Sequence, residues 1–236
     1  MRIGGRARII ARVNTDIRPT TPAARATVWA RTFARLYDSS LWAGERAGAA
    51  ALRAELLSQA RGRTVEIGGG TGLNLHSYPA AVTELFVTEP DGSMRSRLAR
   101  RLRRSERAAQ IVDAPAEDLP FADESVDTVV STFVLCTVDD PERALREITR
   151  VLAPGGQLLL LEHVRSRSPR LAAWQDRLAG PWQKFARGCR CNRATAELIA
   201  QSGLARRELQ ERKWRAMPPI VRPLIVGRAE IGANHE

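Results

Sequence analysis

The stretch Val65-Glu66-Ile67-Gly68-Gly69-Gly70-Thr71-Gly72-Leu73-Asn74-Leu75 constrains the fold more than any other part of this chain. A short apolar run stops abruptly at a turn with glycine at positions 68, 70 and 72. Without a Cβ, such a backbone takes positive φ and lets a ligand approach closely. A strand running into a glycine turn and then a helix is how an α/β unit begins, and it implies a flat, hydrogen-bonding ligand lying on the turn.

The rest of the chain repeats the alternation. Apolar runs at 64–67, 85–88, 110–112, 128–133 and 157–162 read as strands. Between them lie a helix carrying Met94, Leu98 and Leu102, and another opened by Pro141, carried by Leu145, Ile148 and Leu152 and ended by Pro154-Gly155-Gly156. Two further strands, at 207–214 and 224–228, flank the Pro218-Pro219 turn, and helical patterns occur around Trp174, Leu178 and Trp182 and at 193–202. The expected fold is a doubly wound, seven-stranded, mostly parallel sheet, with the apolar strand 157–162 at its centre. Two helices precede the first strand. One is opened by Pro22 and carries Trp29, Phe33, Leu36 and Tyr37 as one apolar stripe; the other spans 45–60 and is stopped by Gly62. The domain reading is a basic tail at 1–20 and one domain at 21–236. Its parts are N-terminal helices (21–62), a cofactor-binding core (63–165) and acceptor-side helices with the last two strands (166–236).

A length of 236 residues with 44% hydrophobic content suffices for one α/β core. The net charge of +11 is almost all arginine, since Lys184 and Lys213 are the only lysines. The arginines are spread evenly rather than clustered with stacking aromatics, so no nucleic-acid partner is expected. No uninterrupted apolar run exceeds that of the four leucines at 158–161, which are too few to cross a bilayer. Three cysteines cannot complete a four-thiolate zinc site, so no metal is expected, and Cys189 and Cys191 are too close for an unstrained disulfide. A cytoplasmic location fits. Residues 1–20 set Arg2, Arg6, Arg8, Arg12 and Arg18 against Asp16, with Ile9, Ile10, Val13 and Ile17 at helical spacing. They read as a frayed tail or, alternatively, as a basic amphipathic helix in peripheral contact with anionic lipid.

In an open parallel sheet the ligand sits beyond the carboxyl ends of the strands. Glu89 stands at the end of the second strand, nineteen positions after Gly70. A carboxylate there can accept both hydroxyls of a ribose. A dinucleotide motif, G-x-G-x-x-G, would need a third glycine at position 73, which is Leu73. The observed pattern is E-x-G-x-G-x-G, and the acid at Glu66 suits a cationic ligand better than a pyrophosphate. S-adenosylmethionine carries an ammonium and a sulfonium and no phosphate.

At these residues the chain resembles the class I S-adenosylmethionine-dependent methyltransferases, over about residues 36–203. The likeness rests on the glycine motif, on Ala116-Glu117-Asp118-Leu119-Pro120-Phe121 followed by Ser125-Val126-Asp127, and on Arg150-Val151-Leu152-Ala153-Pro154-Gly155-Gly156. Asn74-Leu75 with Tyr78-Pro79, Leu135-Cys136, Glu162-His163-Val164 and Gly188-Cys189 look like the small-molecule branch, which holds quinone C-methyltransferases and, closer, alkyl-thiol and phospholipid N-methyltransferase-like enzymes. The resemblance implies that Glu66, Gly68, Gly69, Gly70, Thr71 and Gly72, with Asn74, hold the methionine part of the cofactor. Glu89 would hold the ribose, Pro90 would line the adenine, Ala116 and Glu117 would meet its edge, and Cys136 would pack near the methyl donor. Pro115 departs from the family, which often carries Asp there, so recognition of the adenine amine falls to Glu117, Asp113 or main chain, with Glu117 preferred.

His163 is the candidate base, with a loop-anchoring role as the alternative. Asp127 reads as structural, Cys189 and Cys191 as buried thiols, and Trp174, Trp182 and Phe185 as an acceptor wall or as plain helix packing. The expected activity is methyl transfer to a small lipophilic acceptor: a thiol, a quinol or phenol, an amine or a lipid headgroup. A non-catalytic cofactor-binding protein is the alternative. A nucleic-acid enzyme is disfavoured, because Thr132-Phe133-Val134-Leu135-Cys136 lacks the Asn/Asp-Pro-Pro-aromatic motif of adenine enzymes.

Overall fold

The computed structural model describes residues 28–231. The basic tail and the expected helix start at Pro22 lie outside the described residues. Seven strands form one sheet in the order β3-β2-β1-β4-β5-β7-β6. They are β1 (Gly62–Ile67), β2 (Val82–Thr88), β3 (Gln110–Val112), β4 (Val126–Thr132), β5 (Leu152–His163), β6 (Leu204–Lys213) and β7 (Pro223–Ile231). The first five run parallel, and β7 is antiparallel to both its neighbours, β5 and β6. The apolar β5 lies inside the sheet, paired to β4 and β7.

Successive residues of a strand face opposite sides, and both sides of this sheet are covered. Leu158 and Leu160 pack with Ala144, Leu145 and Ile148 of α4 (Pro141–Val151) and Ile199 of α6 (Thr195–Gln201). Leu159 and Leu161 pack with Leu41 of α1 (Val28–Gly44), Leu56 and Leu57 of α2 (Ala50–Leu57) and Leu98 of α3 (Gly92–Leu102). Each fully buried leucine contributes about 1.5–3 kcal/mol. α3 begins where Asp91 accepts from the amides of Ser93 (2.8 Å) and Met94 (3.0 Å). α4 begins where Asp140 accepts from that of Arg143 (2.9 Å), with Pro141 at its first position.

Four expectations differ from the structure. No helix follows the glycine turn; residues 68–81 run through successive turns. Gly72 takes φ 83°, and the Asn74 side chain is held by Glu66 and Arg53 rather than left to a helical face. Residues 45–60 are not one helix, because a π-helical turn (Glu45–Ala49) with Gly48 at φ 128° precedes α2. β5 starts at Leu152, which pairs with Val126, so the Pro-Gly-Gly segment lies within the strand instead of after the helix. The aromatic stripe of α1 splits: Phe33 and Tyr37 turn inward, whereas Trp29 and Leu36 are exposed. β1 sits between β2 and β4, where the winding reverses, and the crevice beyond its carboxyl end is the place a ligand is expected.

Candidate active site

A cavity of about 690 Å³ opens beyond the ends of β1, β2, β4 and β5. Of the residues singled out in the sequence, Gly68, Gly70, Glu89, Pro90, Ala116, Glu117, Cys136 and His163 line it. Gly70 has φ 55°, and a Cβ built there would meet only the Gly68 carbonyl oxygen, 4.0 Å away. The space in front of it belongs to the cavity. The Glu89 carboxylate accepts from the Gly70 amide (2.8 Å) and the Asp91 amide (2.9 Å). Burial pushes its pKa up, and those two hydrogen bonds oppose the shift.

Glu66, Gly69, Thr71, Gly72 and Asn74 do not line the cavity; they stand behind it. Glu66 is buried and accepts from Asn74 Nδ2 (2.8 Å) and the Tyr78 hydroxyl (2.7 Å). Asn74 Nδ2 also donates to Thr132 Oγ1 (3.0 Å), and Asn74 Oδ1 accepts from Arg53 (3.1 Å). Arg53 in turn pairs with Glu45 (2.6 Å). Burial pushes the Glu66 carboxyl up to about 7, with the Tyr78 and Asn74 hydrogen bonds opposing. The Thr71 hydroxyl donates to Asp38 (2.6 Å), which pairs with Arg101 (2.6 Å), so the turn is pinned to α1 and α3.

The loop after β4 forms the next wall. Phe133 takes φ 61°, and the buried Glu162 accepts from the Ser131 hydroxyl (2.6 Å) and from the amides of Val134 (2.9 Å), Leu135 (3.1 Å) and Cys136 (3.3 Å). One carboxylate thereby fixes the loop that presents Cys136. Cys136 Sγ lies 3.8 Å from Cys189 Sγ, and all three cysteines are free and buried. Asp127 accepts from the Arg63 amide (2.7 Å) and ties β4 to β1, the structural role expected of it.

His163 lies against the Phe133 ring (4.8 Å between centroids) and the Trp214 ring (5.3 Å), while Phe133 and Trp214 stack at 4.6 Å. Burial lowers the imidazole to about 4. A hydrogen bond with the Val221 backbone opposes that shift, and the indole nitrogen of Trp214 is buried without a hydrogen-bond partner. Phe33, Tyr37, Leu41, Trp182, Phe185 and Met217 complete this aromatic end. Trp174 is exposed and outside the cavity, so only Trp182 and Phe185 of the three expected wall residues are in it. Glu117 accepts from the amides of Asp139 (2.9 Å) and Asp140 (3.4 Å), whereas Asp113 is paired with Arg95 (2.6 Å) away from the lining.

The cavity therefore has two ends of different chemistry. Glu89, Asp91, Glu117 and Asp139 make one end acidic, and among the described residues the only permanent cation lining it is Arg187, paired with Asp91. No helix begins at the glycine turn to meet a phosphate. These residues fit a cationic nucleoside and not a pyrophosphate. Among the described residues no cluster of His, Cys, Asp and Glu could hold a metal.

Sequence reasoning did not assign roles to Arg53, Tyr37, Tyr78, Phe133, Glu162 or Trp214. Glu162 carried the same signal that marked Glu89, an acid ending an apolar strand. Trp214 carried none, because the β6–β7 hairpin brings it in from far along the chain.

A methyltransferase-domain family model matches residues 65–160. The human thiol S-methyltransferase TMT1B is 32% identical over 191 residues, covering 74% of this chain and 76% of that protein. The phosphatidylethanolamine N-methyltransferase of Cereibacter sphaeroides is 35% identical over 123 residues, half of this chain and 59% of the relative. Among solved structures, a SAM-dependent methyltransferase from Thermotoga maritima superposes with a TM-score of 0.62 at 24% identity, over 86% of this chain and 98% of that one.

Proposed function

This chain belongs to the class I S-adenosylmethionine-dependent methyltransferases, and from that premise we propose that the acidic end of its cavity holds the cofactor while the aromatic end takes a small lipophilic thiol. In this reading Glu89, braced by two backbone amides, accepts the ribose hydroxyls. The bare backbone at Gly68 and Gly70 lets the methionine part approach, and Pro90, Ala116 and Glu117 border the adenine. Glu66, Asn74 and Tyr78 position the turn from behind, with Gly69, Thr71 and Gly72 shaping it. Cys136 sits beside the reacting methyl group.

When bound, the cofactor supplies an already activated methyl group for in-line displacement. The protein's own task is to orient the acceptor and exclude water, which by itself lowers a barrier by roughly 7–11 kcal/mol. The observation that carries the acceptor class is the state of His163. Held at about 4 by burial, it is neutral at physiological pH and a weak base. An acceptor entering here must lose its proton with little help. Thiols, near pKa 8.5, do so more readily than phenols near 10 or ammonium groups above 10. The thiol S-methyltransferase relative supports the same choice.

The test is transfer of labelled methyl to a panel of thiols, quinols, amines and phosphatidylethanolamine. Label on thiols is expected, with kcat/KM rising with pH towards the acceptor's own pKa and no inflection between 6 and 7. Tight cofactor binding without transfer to any class would overturn the acceptor assignment, and an inflection near the ordinary histidine pKa that vanishes in His163→Asn would make His163 the base.

A further inference from the structure

We propose that the outer faces of α1 and of α5 (Pro169–Phe185), which meet at the cavity mouth, dock on an anionic lipid surface from which the acceptor enters; this rests on the reading of the acceptor as lipophilic. All six large hydrophobic side chains exposed among the described residues lie on these two helices: Val28, Trp29, Leu36 and Trp42 on α1, Trp174 and Phe185 on α5. At about 100° per residue, the four on α1 fall within an arc of about 140°, and the two on α5 lie about 20° apart. The faces join where the Trp29 and Phe185 rings approach at 6.2 Å. Phe185 and its ring neighbour Trp182 (5.7 Å) both line the cavity, so the apolar faces run to its entrance.

Charge selects the occupant. Arg31 and Arg35 on α1 and Arg170, Arg177 and Lys184 on α5 are exposed beside these aromatics. The acids nearby are already paired with arginines: Asp38 with Arg101, Glu45 with Arg53 and, at the surface, Asp176 with Arg165. Residues 1–27 carry six arginines against one aspartate, and the whole chain has net charge +11. Neither that segment nor a second copy complements a cationic face. A nucleic acid would answer the charge but would leave Val28 and Leu36 in water. The headgroup region of an anionic bilayer takes both tryptophan rings and Arg/Lys side chains.

The test uses the full chain with vesicles of phosphatidylcholine alone or with phosphatidylglycerol added, read by co-sedimentation and by quenching of tryptophan fluorescence with brominated acyl chains. Binding to the anionic vesicles only, reversed by high salt, is expected. It should fall about tenfold or more in Trp42→Ser/Trp174→Ser and in Arg170→Glu/Arg177→Glu, none of which lines the cavity, with cofactor affinity unchanged as the check on folding. Equal binding of either variant and the parent would overturn the proposal and assign any membrane contact to the N-terminal arginines. Binding of a duplex oligonucleotide but not vesicles, lost in the same variants, would assign the face to nucleic acid. A dimer broken by the tryptophan variants, with no vesicle binding, would assign it to a second copy. Methyl transfer to a water-soluble thiol without vesicles reports on the acceptor reading separately, so either idea can fail while the other stands.

Discussion

Among the described residues Glu89 is the one carboxylate that is both buried and lining the cavity, and its loss should be felt first in cofactor binding. Glu89→Ala is expected to weaken S-adenosylmethionine at least about tenfold by calorimetry, about 1.4 kcal/mol; an unchanged affinity would mean that the ribose contact lies elsewhere. Glu66 makes a different prediction. Its carboxyl is held near 7 against an ordinary value near 4.5, so the native state binds more protons than the unfolded chain between those values. Its contribution to stability is complete below about 4.5 and is lost as pH rises through about 7. In the apo protein, Glu66→Gln should gain about 2–3 kcal/mol relative to the parent between pH 5 and pH 8, measured by urea unfolding. The positions of both acids were legible in the sequence, because each stands at or next to the end of an apolar strand. Their divergent surroundings were not, since Asn74, Tyr78 and Arg53 converge on Glu66 from separate turns and helices.

Helix starts and apolar strands were legible because their causes are local. Asp140-Pro141 announces α4, and Asp140→Ala should cost about 1 kcal/mol in denaturant unfolding. The regions that misled share the opposite property. The glycine turn reads as the start of a helix, yet tertiary hydrogen bonds to Asn74 and Thr71 hold residues 68–81 in turns. The hairpin of β6 and β7 depends on Gly227, where φ is 150° and a Cβ would stand 1.6 Å from the Glu208 carbonyl oxygen. Gly227→Ala is therefore expected to destabilise the protein by about 2–4 kcal/mol in urea unfolding. Because that hairpin carries Trp214 to the Phe133 and His163 rings, acceptor KM should suffer more than cofactor affinity.

As a whole the molecule sets one cavity beyond the strand ends of a seven-stranded sheet and lines it with side chains from α1, α5 and the segment after β6. Ligand bound to the native state stabilises it by mass action, about 2.7 kcal/mol at a hundredfold excess over Kd. S-adenosylmethionine should accordingly raise the melting temperature of the full chain and a nicotinamide dinucleotide should not; equal shifts would contradict the acidic-end assignment. The sequence by itself determined the α/β class, the strand-end acids, the methyl-donor chemistry and the family. Those signals are short-range: continuous apolar runs, glycine spacing and single acids at strand ends. Only the tertiary structure decided which of the motif residues line the cavity, that burial beside the Phe133 and Trp214 rings lowers the His163 imidazole, and that the exposed aromatics gather beside the cavity mouth. Each of those depends on side chains brought together from helices and hairpins far apart in the chain, where burial and charge are set by neighbours that no local pattern names.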